Sequence, residues 1–130
     1  MLPFSISLRN GSPIAEQVVY AVTRATVSGE IRPGDPFPSV RTLSPELKIN
    51  PNTAHKIIAT LVERKVLNVY PGVGTVVGGA THNVDPASRR LILDVDAERL
   101  VVEARRAGLS LQSVVAAIRN HWARTVRRAG

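Results

Sequence analysis

The sequence predicts a mainly α-helical protein with one small β-hairpin. Ser-Pro, Asn-Pro and Asp-Pro steps precede apolar residues at helical spacing, as they do at helix starts. Two short apolar runs flank a Pro-Gly turn, which is typical of a hairpin. The predicted order is three helices, the hairpin and two further helices. We expect a first domain over residues 1–79 and a helical segment over residues 84–130.

The composition favours an anionic partner. The chain has 130 residues and a formal charge of +7, which suits a nucleic acid, an acidic membrane surface or an acidic protein. It has no cysteine, so disulfides, thiolate metal sites and a cysteine nucleophile are excluded. No signal peptide and no run of about 18 apolar residues is recognisable. We therefore expect a soluble, cytoplasmic protein that does not bind a membrane.

The first helix is predicted from Pro13 to Ser28. Ser12 is its expected cap, and Gly29 is its expected end because glycine readily adopts the left-handed conformation that follows a helix. Before it, apolar and polar residues alternate from Phe4 to Leu8, which predicts a strand-like or extended arm.

Two short helices and a hairpin follow. Ser39 is the expected cap of the second helix, and Asn50 caps the third, with Pro51 at its first position. The strands are predicted at 66–70 and 75–77, with a turn between them. Two helices around a tight turn can place the second one in the major groove of DNA, and the hairpin can follow the backbone as a wing. The sequence thus predicts a winged helix-turn-helix followed by a two-helix C-terminal dimerisation segment.

Residues 12–77 resemble the GntR family of bacterial repressors. The resemblance is carried by these segments: Pro13-Ile14 with Gln17, Ser28-Gly29-Glu30-Ile31-Arg32-Pro33-Gly34-Asp35, Pro38-Ser39-Val40-Arg41, Leu43 with Leu47, Asn50-Pro51-Asn52-Thr53 and Gly72-Val73-Gly74-Thr75. With only about 50 residues after the wing, the chain is similar to the YtrA-like subfamily, whose members carry a two-helix dimerisation tail.

The resemblance implies a set of DNA-binding residues. Arg41 would hold a phosphate or a base edge, the front of the third helix would enter the groove, and the wing glycines would allow a close approach to DNA. The candidates are Ser39, Arg41, Asn50, Asn52, Thr53, His55, Lys56, Gly72, Gly74 and Thr75.

The chain departs from the family pattern in three places. Pro45 lies inside the second helix, where we expect it to kink or split the helix. Pro71 and Val73 occupy the wing tip, where a basic residue is common, so weaker wing electrostatics are expected. His55 stands where the family often has arginine.

The last two helices are predicted from Asp85-Pro86 to Ala107 and from a Ser110 cap onward. The fifth helix has one apolar stripe, which we expect the fourth helix to cover. The fourth has apolar residues on more than one side, and a second copy of the chain is the economical partner for the surplus. The candidate dimerisation residues are Leu93, Leu100, Val101, Val115, Ile118 and Trp122.

These patterns favour a sequence-specific DNA-binding transcription regulator, expected to be a repressor that binds an inverted-repeat operator as a homodimer. Two alternatives stay open: a non-specific nucleoid-type binder and a winged-helix protein-interaction adaptor. We expect no enzyme activity, because no nucleophile, base and orienting group cluster in the sequence. Neither a metal site nor a cofactor is expected, and no effector is assigned.

Overall fold

A computed structural model describes residues 2–79 and 86–129, the last four of these as backbone only. The helices are α1 (Ile14–Ser28), α2 (Val40–Leu47), α3 (Pro51–Glu63), α4 (Pro86–Arg106) and α5 (Leu111–Ala129), and the strands are β1 (Leu67–Tyr70) and β2 (Gly74–Val77). This order confirms the predicted fold class. The chain divides into two compact units: α1 to β2 belong to the first, and α4 with most of α5 to the second.

The apolar faces of the first three helices form the core of the first unit. Both α1 and α2 pack against α3. Val22, Leu43, Ile57 and Leu61 are fully buried at 0% exposure, as the helical spacing predicts. Burial of this aliphatic cluster stabilises the unit and fixes the direction of α3.

The N-terminal arm forms no strand within residues 2–9. The buried ring of Phe4 stacks on that of Phe37 with centroids 5.9 Å apart. The predicted Ser12 cap is wrong. Pro13 is the N-cap of α1 and no side chain caps it, while the Ser12 carbonyl accepts a hydrogen bond from Nε2 of Gln17 (2.9 Å).

The predicted split of α2 at Pro45 does not occur, since α2 runs unbroken from Val40 to Leu47. In this two-turn helix, the missing N–H of Pro45 removes only the bond to the carbonyl of Arg41, an exposed residue. Water can hydrate that carbonyl, so the helix tolerates the proline.

The hairpin strands are antiparallel, with Leu67 opposite Val77 and Tyr70 opposite Gly74. The loop before α2 pairs with the outer edge of β2. Its Phe37 N–H donates to the carbonyl of Thr75 (2.9 Å), and the Val77 N–H donates to the carbonyl of Asp35 (2.8 Å). These bonds attach the wing to the chain segment that leads into α2.

The second unit buries little of its own surface. Gly108 takes a φ of 77° in the turn after α4, and Ser110 caps α5 by accepting from the Ser113 N–H (3.1 Å). Among the described side chains of this unit, only that of Ala104 is buried. No helix in the described ranges is long and apolar enough to span a bilayer.

The expectation that α4 covers the stripe of α5 is wrong. Val115, Ile118 and Trp122 are 37%, 47% and 73% exposed. Amphipathic spacing shows that a helix needs a partner, but it does not say which surface supplies it. The predicted Asp85 start of the fourth helix and residues 80–83, between the two predicted parts of the chain, lie outside the described residues.

Candidate nucleic-acid interface

The turn between α2 and α3 is closed by hydrogen bonds. Lys48 ends α2 in the left-handed conformation with a φ of 55°. The buried Ser44 hydroxyl donates to the carbonyl of Ile49 (2.8 Å), and the Ile49 N–H donates to the carbonyl of Ser44 (3.0 Å). The turn predicted around residues 48–50 is therefore present. Ser44 was not among the residues predicted from the sequence, because a serine in a short helix carries no signal that it is buried.

Helix α3 separates its core face from a polar exposed face. Ala54 and Ile57 are buried at 0% exposure, whereas Asn52, His55 and Lys56 are exposed. At 3.6 residues per turn, Asn52 and Lys56 lie on the side opposite the core. The exposed Ala59 is on the same side but was not a sequence candidate. Its methyl group leaves room for DNA to approach this face.

Two of the predicted site residues cap helices. The Ser39 hydroxyl accepts from the Thr42 N–H at the start of α2 (3.4 Å). Asn50 Oδ1 accepts from the Asn52 N–H at the start of α3 (2.8 Å). A helix N-terminus carries a partial positive charge that favours phosphate, so both caps hold anion-attracting ends in place. Whether Ser39 or Asn50 contacts DNA stays a prediction.

Arg41 lies in the first turn of α2 and is exposed. Within the described ranges, its side chain has no hydrogen bond or ion pair. The loop that precedes α2 is hydrogen-bonded to β2 through Phe37 and Thr75. This pairing holds the start of α2 next to the wing. An unpaired guanidinium there can form the bidentate bonds that phosphate and guanine accept.

The wing tip is built from three exposed residues between β1 and β2. Gly72 and Gly74 have φ of 79° and 114°, a region that other residues adopt with strain. Val73 is 76% exposed and Tyr70 is 50% exposed. The tip therefore offers apolar and backbone groups in place of a cation. The sequence analysis did not identify Tyr70, because a strand tyrosine is usually part of a core.

The described residues of the site offer hydrogen-bonding and charged groups but no cluster of metal-ligating side chains. Across residues 2–79 and 86–129, no three histidine, cysteine or acidic side chains come close enough to hold a metal ion. The polar face of α3, the capped helix starts and the wing instead match what a winged helix-turn-helix presents to duplex DNA.

Residues 14–77 match the GntR family, described as bacterial regulatory proteins. The DNA-binding domain belongs to the GntR family. This match covers the three helices and the wing, including the helix-turn-helix that carries the candidate site. A protein with this domain is a DNA-binding transcription regulator and not an enzyme.

Relatives of this protein match beyond the GntR domain. The chain is 27% identical over 109 residues to the HTH-type transcriptional repressor YtrA of Bacillus subtilis, and the match covers 84% of each chain. It is 26% identical to YtrA from Sulfolobus acidocaldarius, a GntR-family transcription factor, with a TM-score of 0.51 over 92% of this chain and 96% of that one. A transcriptional antiterminator from Listeria monocytogenes shares the fold, with a TM-score of 0.81, 20% identity and coverage of 95% and 92%.

Proposed function

We propose that this protein represses transcription by binding an inverted-repeat operator as a homodimer. In this proposal, residues 1–79 are the DNA-binding domain and residues 84–130 are the dimerisation segment. The observation that carries the proposal is the uncovered apolar surface of α4 and α5. Trp122, Leu93 and Leu111 are 73%, 71% and 76% exposed. Many large apolar side chains left exposed on one unit are typical of an interaction site.

The apolar residues of α4 point in two directions. At 100° per residue, Leu91, Val95 and Val102 lie on one side of the helix. On the opposite side lie Leu93 and Leu100, and Val101 lies between the two sides. A helix with two apolar sides needs two partners. A second copy supplies them economically, because a two-fold axis pairs each α4 and α5 with equivalent surfaces.

A dimer of this kind carries two recognition helices related by a two-fold axis. Its operator is then an inverted repeat with half-sites one helical turn, or a multiple of it, apart. A bound dimer on a promoter would block transcription, and a relative that matches over most of this chain is named a repressor. Both lines of support favour repression over activation.

The candidate residues divide into base readers and phosphate binders. Asn52 and Thr53 begin the recognition helix, where short polar side chains can reach base edges. His55 follows Asn52 by three residues and lies on the same side of α3. Arg41 and Lys56 supply charge for the backbone. The wing residues Gly72, Gly74 and Thr75 would approach the adjacent groove through their backbone.

The test is selection of genomic DNA fragments on the purified protein, followed by affinity measurements at one fixed salt concentration. A specific regulator should enrich an inverted repeat and bind it about 1,000-fold or more tightly than random DNA of equal length. Equal affinities would favour the non-specific nucleoid-type binder. No binding to any DNA at low salt would favour the protein-interaction adaptor.

A further inference from the structure

We propose that a cleft between the N-terminal arm and α1 is a second site, which binds a phosphate group. The cleft has a volume of about 320 Å³. The polar residues that line it are Ser7, Arg9, Ser12, Gln17, Tyr20 and Arg24. It belongs entirely to the first unit and uses none of the residues assigned to the recognition helix or the wing. The inference goes beyond the proposed function and can be tested without an operator.

The wall of the cleft is held in a defined shape by Gln17. Its Oε1 accepts from the Arg9 N–H (2.8 Å), and its Nε2 donates to the carbonyls of Arg9 (2.9 Å) and Ser12 (2.9 Å). Tyr20 and Arg24 follow Gln17 at three and seven positions along α1, so all three lie on one helix face. The arm therefore lies along a fixed face of α1, with Arg9 on one wall and Arg24 on the other.

The chemistry of the lining selects for an anion. Two arginines line the cleft, and no acidic residue does. In the described part of the chain, neither guanidinium has an ion pair or a hydrogen bond. Both Nε2 hydrogens of Gln17 are already donated to the arm, so the available donors are the guanidinium groups and the hydroxyls of Ser7, Ser12 and Tyr20.

Phosphate fits this donor set better than other anions do. Guanidinium groups bind phosphate oxygens bidentately, and serine and tyrosine hydroxyls can complete its coordination. Two like charges facing one cleft repel each other, and a dianion between them would remove that repulsion. The volume is at the lower end of the range for ligand sites, so it suits a phosphate with a small organic group. The phosphate can come from a free phosphate ester or from the DNA backbone.

The first experiment uses free ligands and the full chain. Calorimetric titrations with inorganic phosphate and with glycerol phosphate are made at constant ionic strength, with chloride as the reference anion. For a free ligand, we expect saturable binding that weakens at least tenfold in Arg9→Gln and in Arg24→Gln. Arg119→Gln is the matched control, because it removes the same charge from an exposed position on α5 and should leave binding unchanged.

The second experiment measures how DNA affinity depends on salt in the same variants. If the phosphate belongs to DNA, free phosphate will not saturate the cleft. Arg24→Gln will then lower the slope of log affinity against log salt by about 0.9, the value for one lost phosphate contact on duplex DNA. Arg119→Gln will not lower it. Absence of both effects overturns the proposal. If the protein binds no DNA at all, the proposed function fails. The free-ligand titration alone then tests whether the cleft binds phosphate.

Discussion

Two kinds of polar side chain lie at the starts of α2 and α3. The side-chain oxygens of Ser39 and Asn50 accept hydrogen bonds from backbone N–H groups of the helices that they cap. Arg41 and Lys56 are exposed and have no polar side-chain partner within the described residues. The first pair builds the scaffold, and the second pair is free to bind. Substitutions at these two kinds of residue should therefore have different effects.

Arg41→Ala tests the phosphate or base contact. DNA affinity should fall by about 1–3 kcal/mol, because a charge-assisted contact is lost. The thermal unfolding midpoint should stay the same, since the side chain is exposed. A mobility-shift titration measures the loss, and Arg119→Ala controls for the general effect of charge. Unchanged binding by Arg41→Ala would refute the assignment.

Ser44→Ala tests the lock on the helix-turn-helix turn. The substitution removes the hydroxyl that donates to the Ile49 carbonyl, in a buried position. The free energy of unfolding should fall by about 1–2 kcal/mol, the typical cost of a lost hydrogen bond with an unsatisfied partner. Urea unfolding measures it. Ser7→Ala, at an exposed serine, should cost almost nothing; equal losses would show that the hydroxyl bond does not stabilise the turn.

Among the elements, most of the proposed DNA contacts fall on α3 and on the wing. The buried face of α3 packs on α1 and α2, which leaves a polar face opposite. The Val66 N–H donates to the carbonyl of Leu61 in α3 (2.9 Å), and the Gly78 N–H donates to the carbonyl of Val66 (2.8 Å), so the base of the wing is joined to the end of α3. The position of each element thus depends on contacts with the others.

Asn52→Ala and Lys56→Ala should separate specificity from affinity. A base reader discriminates between sequences, whereas a phosphate contact adds affinity for all of them. Asn52→Ala should reduce the difference in affinity between operator and random DNA. Lys56→Ala should lower the affinity for both DNAs and reduce the dependence of affinity on salt. Affinities of both variants for the two DNAs, measured at several salt concentrations, test this difference. Identical behaviour of the two variants would contradict this division of roles.

Gly78→Ala should destabilise the junction between α3 and the wing. An added Cβ would lie 2.7 Å from the Lys65 carbonyl oxygen and 3.1 Å from that of Val66, both of them backbone atoms. Overpacking of this kind costs about 1–3 kcal/mol. Gly79→Ala is the matched control, because a Cβ there meets nothing within 4 Å. Denaturant unfolding should distinguish the two, and equal stability would contradict the packing argument.

At the scale of the whole molecule, the proposed dimer couples the two units. Each chain supplies one recognition helix, so an operator with two half-sites is bound fully only by a pair of chains. Loss of pairing should therefore weaken DNA binding even when every DNA-contacting residue is intact. Apolar residues in the second unit would then control affinity without touching DNA.

Val101→Asp should shift the protein toward monomer and reduce operator affinity together. A carboxylate in an apolar interface loses its hydration without gaining a partner. Val27→Asp is the matched control on α1, since Val27 and Val101 are 53% and 48% exposed. Sedimentation at micromolar concentration and operator titration are the measurements. If Val101→Asp still sediments as a dimer with full affinity, α4 is not the dimerisation element.

Local patterns along the chain were enough to predict the helices, the hairpin and the fold class. The Asn50-Pro51 step starts α3 and Gly29 follows α1, because caps and left-handed glycines act through bonds to their near neighbours. The spacing of Ala54, Ile57 and Leu61 marked the buried face of α3, since helical periodicity is local as well. The family motifs, being short runs of sequence, could be recognised in the same way.

How these elements pack against one another could not be predicted from local patterns. The tertiary structure showed that Ser44 closes the turn, that Gln17 holds the arm and that the loop before α2 pairs with β2 through Phe37. It also showed that α4 leaves Trp122 uncovered. These outcomes depend on groups that folding brings together from distant or unpatterned positions. A periodic pattern indicates that a face needs a partner, but only packing in three dimensions selects which surface meets it.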